Sequence, residues 1–252
     1  MLSGLDPSGG AGIQADIQAC TSLGCHPLPV LTCLTVQDTV NVYEADAIDA
    51  DLIHRQLNCL AGDTPIHAVK TGALGNAAIV DVLLELLQDY PEIPLIVDPV
   101  IKAAGGGDLA DGELISVMKS RLFPRAEMIT PNGDELAILG DNADPERAAR
   151  NLLDAGCSSV LATGGHGTGL HITNTLYNHA PEPMHWNVER VGGVYHGTGC
   201  TLAAAITAGR ACGLSPRAAV SQAQNYVHRA VLHALEVGKG QPVPDRGIPW
   251  ER

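Results

Sequence analysis

A six-residue segment, His196-Gly197-Thr198-Gly199-Cys200-Thr201, contains the residues best suited to chemistry in this chain. Its two glycines allow a tight turn, and the alanine-rich run at 202–206 predicts a helix directly after it. The first N–H groups of such a helix, together with the helix dipole, form a site for phosphate or another anion. Cys200 lies in that positive field, where we expect the pKa of its thiol to be lowered. The segment predicts chemistry on a phosphorylated compound, and the alternative is an ordinary glycine-rich turn with a buried cysteine.

Short apolar runs alternate with amphipathic helical patterns along the chain, and these elements must position the segment. The runs at 30–34, 66–69, 95–97, 127–129 and 159–162 predict strands. Apolar spacing predicts helices over 79–87 and 114–122, and Ser215-Pro216 predicts the start of a long last helix. This alternation is typical of a mostly parallel sheet covered on both faces. The segment 167–188 predicts antiparallel strands at one edge, and we expect a single domain over 1–252 because there is no linker or repeat.

Polar residues cluster directly after the predicted strands. Because ligands of open α/β sheets bind at the carboxyl ends of the strands, we expect these clusters to share one site with the segment at 196–201. The clusters are Gln37-Asp38, Lys70-Thr71-Gly72, Asp98-Pro99, Thr130-Pro131-Asn132 and Thr163-Gly164-Gly165-His166.

Each cluster also has an ordinary structural interpretation. Asp98 suits Mg²⁺ or a substrate hydroxyl, but Asp-Pro is also a common turn. Asn132 and Glu135 suit a metal–phosphate site, or an acid-rich helix N-terminus. We expect Lys70 to be a solvated lysine unless it contacts phosphate.

A second glycine-rich segment, Ser8-Gly9-Gly10-Ala11-Gly12, formally matches a dinucleotide-binding fingerprint that ends at Ala15. We reject that match because only residues 1–5 precede Asp6-Pro7, and the fingerprint needs a full strand there. We predict a loop that approaches a small ligand and begins a helix that ends near Gly24, with a ligand-free turn as the alternative.

Composition limits the classes of function. A net charge of −13 and an aromatic content of 3% argue against a nucleic-acid partner. Seven cysteines without a CxxC pair favour neither a disulfide framework nor a zinc site, and indicate a reducing compartment. The ten histidines lack the spacing of a metal site, and His196 either assists Cys200 or caps a turn. No apolar stretch approaches the roughly 18 residues that span a bilayer, so we expect a cytoplasmic protein without a membrane partner.

Five motifs together resemble the hydroxymethylpyrimidine/phosphomethylpyrimidine kinases of thiamine biosynthesis, which belong to the ribokinase-like superfamily. They lie in the family's order at 8–16, 34–39, 97–100, 130–135 and 196–202. The resemblance implies a three-layer α/β/α sandwich with a mainly parallel central sheet, assembled as a homodimer. It also implies an Mg²⁺-dependent transfer of the ATP γ-phosphate to 4-amino-5-hydroxymethyl-2-methylpyrimidine and then to its monophosphate.

The resemblance further implies roles for individual residues, which we group by ligand. The catalytic loop comprises Gly197, Thr198, Gly199 and Cys200, with Cys200 next to the acceptor hydroxyl. The pyrimidine site comprises Gln37, Ala11, Asp16 and Val100. ATP and its phosphates are assigned to Asn132, Thr163 and Gly165. Mg²⁺ is assigned to Asp98 and Glu135. The Gln37 amide donates and accepts together, which suits a ring nitrogen beside an exocyclic amine.

Three features depart from the family pattern. Thr163 stands where members often have a lysine that contacts phosphate. Ala73 replaces a common methionine, which we expect to enlarge the pyrimidine pocket. The chain also begins inside the expected first strand, which we expect to cost stability. Because some pyridoxal kinases share the Gly-Thr-Gly-Cys loop, pyridoxal kinase is an alternative, as is a family member that binds a pyrimidine without catalysis.

Overall fold

Strands alternate with α-helices in the residues that the computed structural model describes, which are 1–102, 107, 109–165, 167 and 169–248. The strands are β1 (Leu2–Leu5), β2 (Val30–Gln37), β3 (Val42–Ala47), β4 (Val69–Thr71), β5 (Leu95–Val97), β6 (Met128–Ile129), β7 (Val160–Ala162), β8 (His171–Tyr177) and β9 (Met184–Glu189). The helices are α1 (Gly12–Ser22), α2 (Ala50–Asp63), α3 (Ala77–Asp89), α4 (Gly112–Val117), α5 (Gly133–Leu139), α6 (Pro145–Asp154), α7 (Thr198–Ala211) and α8 (Pro216–Leu232). A π-helical turn at Met118–Leu122 and a 3-10 turn at Phe123–Arg125 continue α4.

These strands form one sheet in the order β3-β2-β1-β4-β5-β6-β7-β8-β9. The six strands from β2 to β7 in that order are parallel, and β8 and β9 add the antiparallel edge that the sequence predicts. The opposite edge carries β3, which pairs antiparallel with β2 and was not predicted. Its residues are mostly exposed, so it lacks the apolar run that reveals the central strands. The mainly parallel sheet with an antiparallel edge is confirmed.

Two hydrophobic cores lie on opposite faces of the sheet. In β5, Leu95 and Val97 belong to one core and Ile96 to the other, which explains why the parallel strands are apolar throughout. The first core packs α2 to α6 against the sheet, and the second packs α1, α7 and α8. The three-layer α/β/α sandwich is therefore confirmed. Among the described residues, no helix combines the length and the apolar character needed to cross a membrane.

The starts of α1 and α7 differ from those of the other six α-helices that the structure describes. Those six each have an N-cap side chain that accepts a hydrogen bond from the first turn. By contrast, Ala11 and Gly197 precede α1 and α7 without a side-chain cap. Gly197 has a φ of 83°, and a side chain there would collide with the Gly10 carbonyl, so the two helix starts lie against each other.

Two strand boundaries differ from the prediction in ways that affect the site. β2 continues beyond the predicted end at residue 34, so Gln37 is its last residue rather than a loop residue. β4 occupies 69–71 rather than 66–69, so Lys70 lies inside a strand whose three residues are all buried.

Candidate active site

A cavity of about 450 Å³ opens along the carboxyl ends of the parallel strands. Sheet order determines what lies where along it. Gln37 ends β2 and Asp6 follows β1, Asp98 follows the central strand β5, and Asn132 and Thr163 follow β6 and β7. Chain order reverses between β1 and β4, and such a switch point is where ligands of open α/β sheets bind. The cavity thus has one end at Gln37, another at Thr163, and a carboxylate between them.

Most of the predicted site residues lie in the wall of this cavity. These are Ala11, Gln37, Asp98, Val100, Asn132, Glu135, Thr163, Gly197, Thr198, Gly199 and Cys200, and Ala73 lies there as well. Asp16 and Gly165 do not line it. The carbonyl of Gly165 accepts a hydrogen bond from Arg190 Nη1 at 2.8 Å in the turn after β7. His166 lies outside the described residues.

The start of α7 fits the anion site predicted for it. Gly197 lets the chain turn, and no side chain occupies the first N–H groups of the helix. The Thr201 hydroxyl donates to the Gly197 carbonyl at 2.6 Å and so does not compete for those donors. Free N–H groups at the positive end of a helix suit a phosphate in the cavity.

The pKa of the Cys200 thiol differs from the value that the sequence predicts. Burial and the nearby Asp98 carboxylate raise the pKa of its thiol well above the usual range, so the expected lowering by the helix start is wrong. The thiol forms a hydrogen bond with Asp98. Burial raises the pKa of Asp98 as well, while Lys70 and Cys200 act in the opposite direction. Cys200 therefore enters the site as a neutral thiol.

Lys70 is fully buried, and the expectation of a solvated lysine is wrong. Its Nζ lies 2.8 and 2.9 Å from the two carboxylate oxygens of Asp16, which is also fully buried, and 3.9 Å from Asp98 Oδ2. Burial alone would lower the pKa of Lys70, but Asp16 and the other anionic groups raise it overall. The side chain of Asp16 thus forms a buried ion pair outside the cavity lining and holds the Lys70 ammonium group close to Asp98.

Asn132 and Glu135 form a capping box at the start of α5. Asn132 Oδ1 accepts from the Glu135 N–H at 3.0 Å, and Glu135 Oε2 accepts from the Asn132 N–H at 2.9 Å. The structural interpretation of this pair is therefore confirmed, although both side chains also line the cavity. Burial and then the charge of Asp98 raise the pKa of Glu135 to about 8.

The carboxylates of Asp98 and Glu135 are groups in the cavity wall that could bind a cation. Asp98 Oδ2 is buried and has no hydrogen-bond partner among the described residues. That unsatisfied oxygen, with Glu135 nearby, suits Mg²⁺, which proteins often hold with one or two carboxylates plus substrate phosphates. Within the described part of the chain, no group of three or more His, Cys, Asp or Glu residues forms a metal cage.

Two features of the site were missed by sequence reasoning. Asp6 and His196 form a hydrogen bond of 2.8 Å through His196 Nε2, and assistance of Cys200 by His196 stays a prediction. Arg246, in the segment after α8, is buried and donates to Gly9, Gly10 and Thr201, which joins both glycine-rich segments. No motif surrounds Arg246, and only the folded chain brings it to these two segments.

The comparisons with known proteins agree with this geometry. A family model for phosphomethylpyrimidine kinase matches residues 6–244. The chain is 38% identical to the hydroxymethylpyrimidine/phosphomethylpyrimidine kinase of Synechococcus elongatus over 246 residues, which cover 95% of this chain and 93% of that protein. It is 35% identical to the Escherichia coli protein of the same name, with coverage of 95% and 93%.

Two solved structures illustrate the range of structural relatives. The pyridoxal kinase of Staphylococcus aureus in complex with pyridoxal has a TM-score of 0.88 at 27% identity, covering 98% of this chain and 91% of that chain. The phosphomethylpyrimidine kinase of Clostridium difficile has a TM-score of 0.78 at 31% identity, covering 91% and 97%.

Proposed function

Because the chain belongs to the phosphomethylpyrimidine kinase family, we propose that it transfers the γ-phosphate of ATP to 4-amino-5-hydroxymethyl-2-methylpyrimidine and then to the resulting monophosphate. The observation that carries this proposal is the sheet order, which lines up a polar amide, a free helix start and a polar strand end in one cavity. Gln37 receives the pyrimidine, and the side of the cavity at Asn132 and Thr163 receives the nucleotide. The backbone of 197–200 and Cys200 lie where the phosphoryl group passes between them.

Phosphoryl transfer depends mainly on positioning and charge neutralisation, and the loop at the start of α7 suits both tasks. Its free N–H groups stabilise charge on the transferred phosphoryl oxygens. Cys200 acts next to the acceptor hydroxyl as a neutral thiol that orients it, because the raised pKa argues against a thiolate. A loose transition state requires little base strength, so a thiol in this role is compatible with catalysis.

Asp98 and Glu135 hold Mg²⁺ in this proposal. The support is the buried Oδ2 of Asp98, which has no hydrogen-bond partner among the described residues, and the position of Glu135 in the same wall. Bound Mg²⁺ neutralises charge on the nucleotide phosphates. The Asn132 amide, which caps α5, lies beside this pair and contributes a polar contact to the phosphates.

Pyridoxal kinase is the second candidate, favoured by the TM-score of 0.88 to the Staphylococcus aureus enzyme. A coupled assay of ADP release with the hydroxymethylpyrimidine, its phosphate and pyridoxal separates the candidates. We expect turnover of both pyrimidines. A preference for pyridoxal would support the second candidate, and pyrimidine binding without any turnover would indicate a non-catalytic member.

The assignment of Gln37 has its own test. Gln37→Leu is expected to raise the pyrimidine KM by about tenfold or more, because the ring edge loses a hydrogen-bonding partner in the cavity. Gln56→Leu, at an exposed position on α2, is the matched control and should leave KM unchanged. An unchanged KM in Gln37→Leu would place the specificity contact elsewhere.

We further propose that the chain acts as a single domain over 1–252 and assembles as a homodimer in the cytoplasm. Leu34 and Val36 on β2 and Tyr43 on β3 are exposed apolar side chains near one sheet edge, which supports a contact between two copies. The seven cysteines are free, which suits a reducing compartment. Light scattering of the purified protein tests the assembly, and a monomer at micromolar concentration would contradict it.

A further inference from the structure

The carboxylate of Asp6 shows which atom of His196 carries a hydrogen. Oδ1 accepts from the N–H and the hydroxyl of Ser8 at 2.9 and 2.7 Å. Oδ2 accepts from the Ala11 N–H at 2.8 Å and lies 2.8 Å from His196 Nε2. Burial raises the pKa of Asp6, but the hydrogen bonds from His196 and Ser8 lower it overall, so the group is ionised. An ionised carboxylate only accepts, and His196 Nε2 is therefore the donor.

The hydroxyl of Thr35 is constrained in the same way from the other side. Its Oγ1 lies 2.8 Å from the carbonyl of Leu5, which has no hydrogen to give. A hydroxyl carries one hydrogen, so the Thr35 hydrogen goes to Leu5. Toward its other neighbour, the Gln37 side chain, Thr35 presents a lone pair.

The amide of Gln37 lies between these two groups. One end is 3.1 Å from His196 Nε2 and the other is 3.2 Å from Thr35 Oγ1. The two ends of a primary amide have nearly the same shape, so their partners decide which end is oxygen. The structure places Gln37 Nε2 toward His196 and Oε1 toward Thr35, and we reverse that assignment. The single hydrogen of His196 Nε2 points to Asp6 and is shared with the Gln37 end at 3.1 Å, and a protonated Nε2 has no lone pair for an N–H of Gln37. The end that faces His196 is therefore the oxygen, and the end that faces the lone pair of Thr35 is the NH₂ group. The register of β2 against β3 shifts between Val36 and Gln37, directly before this side chain.

We propose that His196, held by Asp6, and Thr35 are specificity-determining positioning residues that lock the Gln37 amide in this orientation. The amide then has one N–H and one oxygen lone pair left for a ligand. The site selects a heterocycle with an exocyclic amine on the His196 side and a ring-nitrogen acceptor on the Thr35 side. This proposal rests on the proposed function, because it specifies how that substrate is recognised.

The lock predicts rejection of a ligand with the reversed pattern. The 4-amino pyrimidine presents a donor beside an acceptor, whereas the 4-oxo analogue presents a carbonyl acceptor beside a ring N–H donor. A freely rotating amide would accept both. A locked amide leaves two partners mispaired with the 4-oxo ring, so we expect the 4-amino compound to bind about a hundredfold more tightly or better.

The experiment measures the dissociation constants of both heterocycles by calorimetry in the parent and three variants. Thr35→Val and His196→Leu each remove one side of the lock and are expected to reduce the preference to within about tenfold. His196→Gln keeps an N–H donor and is expected to retain more of the preference than His196→Leu. If these residues had a purely structural role, the variants would bind both heterocycles more weakly by the same factor. An unchanged ratio of the two dissociation constants would therefore overturn the proposal.

A second measurement needs no ligand. Long-range ¹⁵N NMR, with His196→Gln to identify the signals, is expected to show a hydrogen on Nε2 of His196. A ring without a hydrogen on Nε2 would overturn the proposal. Because binding is measured without turnover, absent kinase activity would overturn the proposed function while the binding ratio still tests the lock. If the parent binds neither heterocycle, both the substrate assignment and the selection by Gln37 are wrong.

Discussion

Replacement of Lys70 by methionine is expected to destabilise the protein severely. The ammonium group has no exposed surface and holds both carboxylate oxygens of Asp16 within 2.9 Å. Methionine has a similar length but leaves the Asp16 charge buried and unpaired. Breaking a buried ion pair by removing one partner costs about 3–5 kcal/mol. For a chain of this size, about 2–4 °C per kcal/mol gives a decrease in Tm of roughly 6–20 °C.

The assay is thermal and urea unfolding of Lys70→Met beside two comparison variants. Lys119→Met removes the partner of the exposed Asp141 and is expected to cost about 1 kcal/mol or less. Lys70→Met combined with Asp16→Leu removes both buried charges and is expected to recover most of the loss, because apolar replacements of buried pairs are often neutral.

Two results would refute this reasoning. One is a loss in Lys70→Met no larger than that in Lys119→Met. The other is a double variant no more stable than Lys70→Met, which would mean that the uncompensated Asp16 charge is not the cause of the loss.

Three further predictions concern the rest of the cavity. Cys200→Ala is expected to lower kcat by about a hundredfold, because the acceptor hydroxyl is no longer positioned, and to leave the KM for ATP nearly unchanged. Steady-state kinetics test this, and an unchanged kcat would mean that the loop backbone, not the thiol, is responsible for catalysis. Burial raises the pKa of Glu135 to about 8, against an ordinary value of 4.5. Between pH 4.5 and pH 8 the folded state therefore keeps a proton on Glu135 that the unfolded state releases, and the free energy of unfolding of the parent falls as the pH rises through this range. Urea unfolding of Glu135→Gln should therefore show its largest gain over the parent near pH 8 and little gain near pH 4.5, and an equal difference at both would contradict the assignment. Arg246→Met leaves buried carbonyls without a donor and is expected to cost about 2–5 kcal/mol in the free energy of unfolding. The exposed Arg217→Met is its control, and equal losses would contradict the role of Arg246 in joining the two glycine-rich segments.

Sequence patterns predict the central sheet well because its signals are local. A strand buried on both faces, such as Leu95–Val97, is apolar throughout, and the rule that ligands bind at the carboxyl ends of strands needs only the strand positions. That rule brings Gln37, Asp98 and Thr163 to one cavity, as the structure has them. Their chemical roles stay predictions until variants are measured.

The errors arise where tertiary contacts outweigh local patterns. Lys70 is charged and the sequence predicts it in solvent, but the strand begins three residues later than predicted and includes Lys70, whose ammonium group pairs with the buried Asp16. For Cys200, the helix start favours the thiolate, while burial and Asp98 favour the thiol more strongly. Arg246 reaches Thr201 from a distant segment of the chain, and no spacing rule reveals such a contact.

The most direct test of the central claim is ³¹P NMR of the protein incubated with ATP, Mg²⁺ and the hydroxymethylpyrimidine. The proposed function predicts that a phosphomonoester signal appears first, and that diphosphate signals of the pyrimidine product follow as ADP accumulates. Release of inorganic phosphate alone, or an unchanged ATP spectrum with the pyrimidine present, would contradict it.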